Sequence, residues 1–99
     1  MNIRIKEQWI AALRGGEYVQ GKNRLRSRDT YCCLGVLCDL HAKETGWTWD
    51  RDWYIGVFEH PPAIVLRWAG LSARDAKELA LENDLGKSFS EIANMIEKV

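Results

Sequence analysis

The chain has 99 residues, carries 14 Lys and Arg against 14 Asp and Glu, and is 46% hydrophobic with five tryptophans and three cysteines. A chain this short buries only about two-thirds of its unfolded surface and has material for one core, so a single globular domain over residues 1–99 is expected. No apolar run approaches the ~18 residues needed to cross a bilayer, and Met1-Asn2-Ile3-Arg4-Ile5-Lys6 lacks the apolar stretch of a secretory signal, so the expectation is a cytoplasmic protein without membrane function.

Ile5, Trp9, Ala12 and Leu13 recur at helical spacing and Gly15-Gly16 supplies a stop, which predicts a helix over residues 3–14. Turn residues at Gly21-Lys22-Asn23 and Ser27-Arg28-Asp29 then flank an alternation of Lys22, Arg24 and Arg26 against Asn23, Leu25 and Ser27. A basic β-hairpin with a row of cations on one face fits that pattern. Residues 1–28 hold seven bases against two acids, net +5, and residues 29–99 hold seven against twelve, net −5. This asymmetry suits an anionic partner or head-to-tail homo-oligomers, and equally suits two halves that neutralise each other within the fold.

From Leu34 to Thr45 the period becomes helical, with Leu34, Leu37, Cys38 and His41 on one side and Gly46 at the end. The run Gly46-Trp47-Thr48-Trp49 alternates, turns at Asp50-Arg51-Asp52 and resumes with Trp53-Tyr54-Ile55, as a second hairpin would. Pro61-Pro62 suits the opening of a short helix containing Ile64, Val65 and Trp68, stopped by Gly70. Ser72 caps the next helix, Asn83-Asp84-Leu85-Gly86 reads as a turn, and Ser88 with Glu91 forms a capping box before Ile92, Ala93, Met95 and Ile96. The sum is a small α+β domain, helix-dominated, with two short β-hairpins.

Few residues suggest chemistry. Cys32, Cys33 and Cys38 with His41 are the candidate metal ligands, but structural zinc needs four converging ligands, and the side chains of adjacent Cys32 and Cys33 diverge in either a strand or a helix. A reactive thiol at Cys33 would need a neighbouring base, and none adjoins it in sequence. Small buried thiols are common core residues, so packing is the preferred reading, with no disulfide, metal or cofactor expected. Gly86-Lys87-Ser88 resembles the end of a phosphate loop, yet Leu81 stands where that loop needs glycine. The tail resembles two helices of a helix-turn-helix, but its acids repel phosphate and no recognition helix follows, which counts against sequence-specific DNA binding. Asp50 and Asp52 read as an exposed turn, and with His41 and His60 the only imidazoles, no catalytic residue is assigned.

Two features stand above background. They are the row Lys22, Arg24, Arg26 and Arg28, and the aromatic cluster Trp47, Trp49, Trp53, Tyr54 and Phe58. Together they would bind a nucleotide or a single strand by phosphate pairing and stacking, or anchor a protein interface; the bland alternative is core tryptophans and solvated arginines.

The order of Trp9-x-x-Ala12-Leu13-Arg14-x-Gly16, Tyr31-Cys32-Cys33-Leu34-Gly35-Val36-Leu37-Cys38-Asp39-Leu40, Trp68-x-Gly70-Leu71 and Asn83-Asp84-x-Gly86-Lys87-Ser88-Phe89-x-Glu91-Ile92-Ala93 resembles a family of small proteins of phages and prophages. The resemblance carries over no catalytic or ligand residue, and the connection before the final helices is shorter here than in similar sequences. It implies a context: small phage proteins often act by binding, inhibiting a host defence complex or sequestering a nucleotide signal. The expected partner is thus a host protein or protein complex, with a small anionic nucleotide or a zinc- or thiol-dependent role of the cysteines as alternatives.

Overall fold

Asn2 accepts the Ile5 amide on its side chain at 3.1 Å and so starts α1 (Ile3–Arg14) in the computed structural model, which describes residues 1–99. Ile5, Trp9 and Leu13, four residues apart, are the buried side chains of α1, as the spacing predicts. The Trp9 indole is also satisfied, donating Nε1–H to the Cys33 carbonyl at 2.9 Å.

The central element is α2 (Cys33–Thr45). Cys32 caps its start, its sulfur accepting from the Gly35 amide at 3.4 Å, and Gly46 ends it in the left-handed region at φ 86°. Every residue from Cys33 to Cys38 is buried, so the first two turns of α2 are surrounded by protein. The closest approach is at Gly35, where an added Cβ would overlap the Leu25 carbonyl. That carbonyl accepts from the Cys32 amide at 3.2 Å, and the Leu25 amide donates to the Phe58 carbonyl at 2.8 Å.

The sheet is small: the first predicted hairpin forms around Arg28-Asp29, but with a shorter first strand and with a third strand added in parallel. Its strands are β1 (Val19–Gln20), β2 (Arg26–Ser27) and β3 (Thr30–Tyr31), in the order β1-β3-β2, with β3 parallel to β1 and antiparallel to β2. The turn at Arg28-Asp29 forms as expected, but Lys22 and Arg24 lie in a loop instead of a strand. Burial of Leu25 and tethering of Gly21 and Asn23 to Asn83 and Asp84 on a distant helix pull that stretch away from a ladder. The cation row is broken as a result: of its four members, only Arg26 lies on a strand.

The second predicted hairpin is corrected. Residues 50–57 form two successive reverse turns, each closed by one bridge, Asp50 to Trp53 and Tyr54 to Val57. Positive φ at Arg51 (55°), then at Ile55 (50°) and Gly56 (81°), reverses the chain twice before a ladder can extend. Tyr54, between the two turns, is fully buried.

Helices α3 (Ala63–Ala69), α4 (Ala73–Asp84) and α5 (Phe89–Ile96) complete the domain, which is a helix-dominated α+β fold. Gly70 ends α3 at φ 66°, Ser72 caps α4 through the Asp75 amide, and Ser88 with Glu91 makes the expected capping box on α5. Helix α5 packs across α1 and α4. Helix α4 extends through Asn83 and Asp84 before the expected turn closes at Leu85-Gly86, and its buried Asn83 accepts from the Cys33 amide and the Gln20 side chain while donating to the Gly21 carbonyl. No helix is long and apolar enough to cross a membrane.

Gly35→Ala tests the close crossing. The methyl would displace the Leu25 peptide, and overpacking of this kind costs about 1–3 kcal/mol or more. Urea unfolding should show at least that loss with an unchanged slope, whereas Gly16→Ala, where an added Cβ meets nothing, should cost about 1 kcal/mol for its positive φ alone.

Candidate binding face

The structure divides the aromatic residues into an inner chain and an outer pair. In the inner chain, Tyr18 meets Tyr31 edge-on at 5.1 Å, Tyr31 meets Trp49 at 6.0 Å, Trp49 tilts over Tyr54 at 4.8 Å, and His41 lies 5.8 Å from Tyr54 and 5.0 Å from Trp68. Asp39 anchors this chain from α2, accepting from Tyr18 Oη at 2.6 Å and Trp49 Nε1 at 3.0 Å and pairing with Lys43 at 3.2 Å. Burial, then the Asp39 carboxylate, pushes the Tyr18 phenol up to about 12, so at neutral pH it is a proton donor held in place. Trp49 and Tyr54, both expected at the site, are therefore structural here.

The outer pair is Trp53 and Phe58, whose rings lie 4.7 Å apart. Trp53 remains 46% exposed. The Arg24 guanidinium sits 5.2 Å from the Phe58 ring centre, a cation–π contact positioned by the hydrogen bond between Leu25 and Phe58. Two shallow grooves border Trp53, one lined by Asp50 and Arg51 and the other by Val57, Phe58 and His60, with Gly56 on both.

Arg26 has a different role from its neighbours. Its guanidinium covers the rings of Tyr31 and Trp49 at 5.5 and 5.4 Å. It donates Nε–H to the Arg28 carbonyl at 2.7 Å and Nη1–H to the Arg51 carbonyl at 3.4 Å, so it joins the two turn tips. Arg28 is exposed at one tip, and its amide donates to Asp52 at 2.9 Å. Lys22 is exposed beside Asn23, whose amide is tied to Asp84 of α4. Trp47 is 49% exposed and has no aromatic ring stacked on it.

The fold thus brings Arg24, Arg28, Trp53 and Phe58 to one face and turns Arg26, Trp49 and Tyr54 inward. Arg51 belongs to this face, and sequence reasoning missed it because it reads as a turn residue between two acids. Its partner in forming the face lies 23 positions earlier, and no local pattern connects the two.

The cysteine cluster is part of the core. Cys32, Cys33 and Cys38 are buried free thiols, and no three His, Cys, Asp or Glu side chains are grouped as metal ligands. Burial raises the Cys32 thiol to about 11 and holds Cys33 and Cys38 well above the usual range, so none is poised as a thiolate. His41 is equally engaged, with Nδ1 2.6 Å from the Tyr54 hydroxyl.

His41 also makes the fold acid-sensitive. Burial lowers its pKa, against the opposing charge of Glu44. The unfolded chain therefore takes up this proton more readily than the native one, so the stabilisation is complete above the ordinary value of about 6.5 and is lost as pH falls below it. Melting temperature should decline from pH 7 to pH 5, and that slope should flatten in His41→Gln, whatever the variant's absolute stability.

The match to known families covers residues 1–78 and ends within α4, so the face lies wholly inside it. No curated protein matches the chain, and no solved structure does. Because that match spans more than half of its length, the chain belongs to the family described as Domain of unknown function (DUF8296).

Proposed function

We propose that this is a non-enzymatic, phage-type binding protein that acts in the cytoplasm of a bacterial host and inhibits a host macromolecule, a defence protein or complex, through its basic and aromatic outer face. The observation that carries this reading is the exposed Trp53, braced by Phe58 beside Arg24, with Arg51 lining the same groove and Arg28 exposed on the neighbouring turn. Tryptophan and arginine dominate the energetics of protein interfaces because each offers a large, stiff contact area with a polar handle. The side chains best suited to catalysis are otherwise engaged: the three thiols are held protonated in the core and His41 is paired with Tyr54. The phage and host context rests on the sequence resemblance.

Nucleotide capture would need a base to stack on a free ring beside a cation. Trp49 offers no such ring, since Arg26 and Tyr54 lie against it, and the half-exposed Trp53 already has Phe58 packed at 4.7 Å. Affinity purification from host lysate, followed by native mass spectrometry of the eluted protein, tests the reading. A stoichiometric host protein should be retained by the wild-type chain and lost with Trp53→Ala. An added mass of nucleotide size, with no protein retained, would replace inhibition by contact with capture of a small anionic nucleotide.

A further inference from the structure

Four non-glycine residues hold a positive φ: Asn23 at 69°, Arg28 at 56°, Arg51 at 55° and Ile55 at 50°. All four lie on the segments that build the outer face or lead into it. For a long L side chain this region is sterically costly, and turns usually fill it with glycine or asparagine. Strain of this kind concentrates where a protein binds or reacts.

Arg28 and Arg51 accept that strain without return inside the fold. Neither guanidinium makes a hydrogen bond, and the four ion pairs join other residues: Arg4 with Glu44, Arg14 with Glu97, Lys43 with Asp39 and Lys87 with Glu82. Only their backbones are used, through the Arg28 amide on Asp52 and the two carbonyls bound by Arg26. The two turn tips are therefore clamped side by side, and both charged side chains are free.

We infer that Arg28 and Arg51 form a two-guanidinium fork beside Trp53 that grips carboxylates rimming an apolar pocket on a partner protein, with Arg26 as the positioning residue that spaces the fork. This deepens the binding-protein reading and rests on it. Guanidinium pairs with carboxylate in a planar, two-point geometry, and an adjacent half-exposed tryptophan fills the apolar centre that such pairs surround. A phosphate backbone fits less well, because Asp29, Asp50 and Asp52 alternate with the arginines on the same two tips. Carboxylates placed singly on a folded partner can meet Arg28 and Arg51 while leaving those acids to solvent, whereas a continuous polyanion would run past them.

The test is photo-crosslinking of the full chain in the bacterial host, with benzoylphenylalanine in place of Trp53, Trp47 or Leu85. Position 53 should yield one protein adduct whose crosslinked segment contains Asp or Glu beside apolar residues. Arg28→Gly with Arg51→Gly should cut that yield at least ~tenfold while leaving the melting temperature unchanged or raising it by a few degrees, since glycine relieves both positive φ angles. Arg26→Gln should lower both the adduct yield and the melting temperature.

A nucleic-acid adduct, an adduct from position 53 that the double glycine variant leaves intact, or a marked fall in that variant's melting temperature would each overturn the fork. Adducts from position 47 or 85 alone would also overturn it while leaving the binding-protein reading in place. No adduct from any position would overturn both.

Discussion

The structure depends on one close crossing, where the Leu25 peptide lies against Gly35 in the first turn of the central helix. Only a residue without Cβ permits that approach, and the approach brings the Leu25 peptide groups within hydrogen-bonding reach of two other segments. The Leu25 carbonyl accepts from the Cys32 amide, one of the donors that a helix start leaves unpaired, and the Leu25 amide donates to the Phe58 carbonyl. The crossing therefore seals the core on one side and positions Arg24, Phe58 and the outer face on the other. Residues with no contact to solvent decide where the exposed ones stand.

Arg26 connects the two layers. A guanidinium is planar and carries donors in a fixed fork, so it can cover the Tyr31 and Trp49 rings and still donate to the carbonyls of two separate turns. Lysine could supply the charge but not this combination of stacking and directed donors. An inward-facing cation thus organises a face whose other cations point outward, and the aromatic content divides in the same way. The inner rings pack in a chain anchored by Asp39 and His41, while Trp53 and Phe58 support each other with one side open.

Buried polar groups hold the remaining geometry. Asn83 is fully buried in α4, and no buried side-chain nitrogen or oxygen lacks a partner. Its amide links the start of α2 to the adjoining residues Gln20 and Gly21 at the end of β1, all at least 50 positions from Asn83 in sequence. An apolar residue there would leave those groups unsatisfied in a low-dielectric interior, which costs more than the hydrogen bonds themselves contribute. Such a network specifies one arrangement of α2, α4 and the sheet out of the several that hydrophobic packing alone would allow.

Helices were legible in the sequence because their signals are local. The spacing of Ile5, Trp9 and Leu13, the stops at Gly46 and Gly70, and the caps at Ser72 and Ser88 each depend on residues within one or two turns, and each stands where expected. The core role of the cysteines came from residue type, and the basic and aromatic residues were identifiable as the unusual ones. Strand pairing and the division of that set into structural and exposed members were decided by tertiary structure. Val19 pairs with Thr30, Arg26 reaches Arg51, and Leu25 reaches Gly35 and Phe58, across separations with no periodic signature. Side chains of one chemical type, such as Arg26 and Arg28, differ in role only because backbone hydrogen bonds from elsewhere in the chain turn one toward aromatic rings and the other toward solvent.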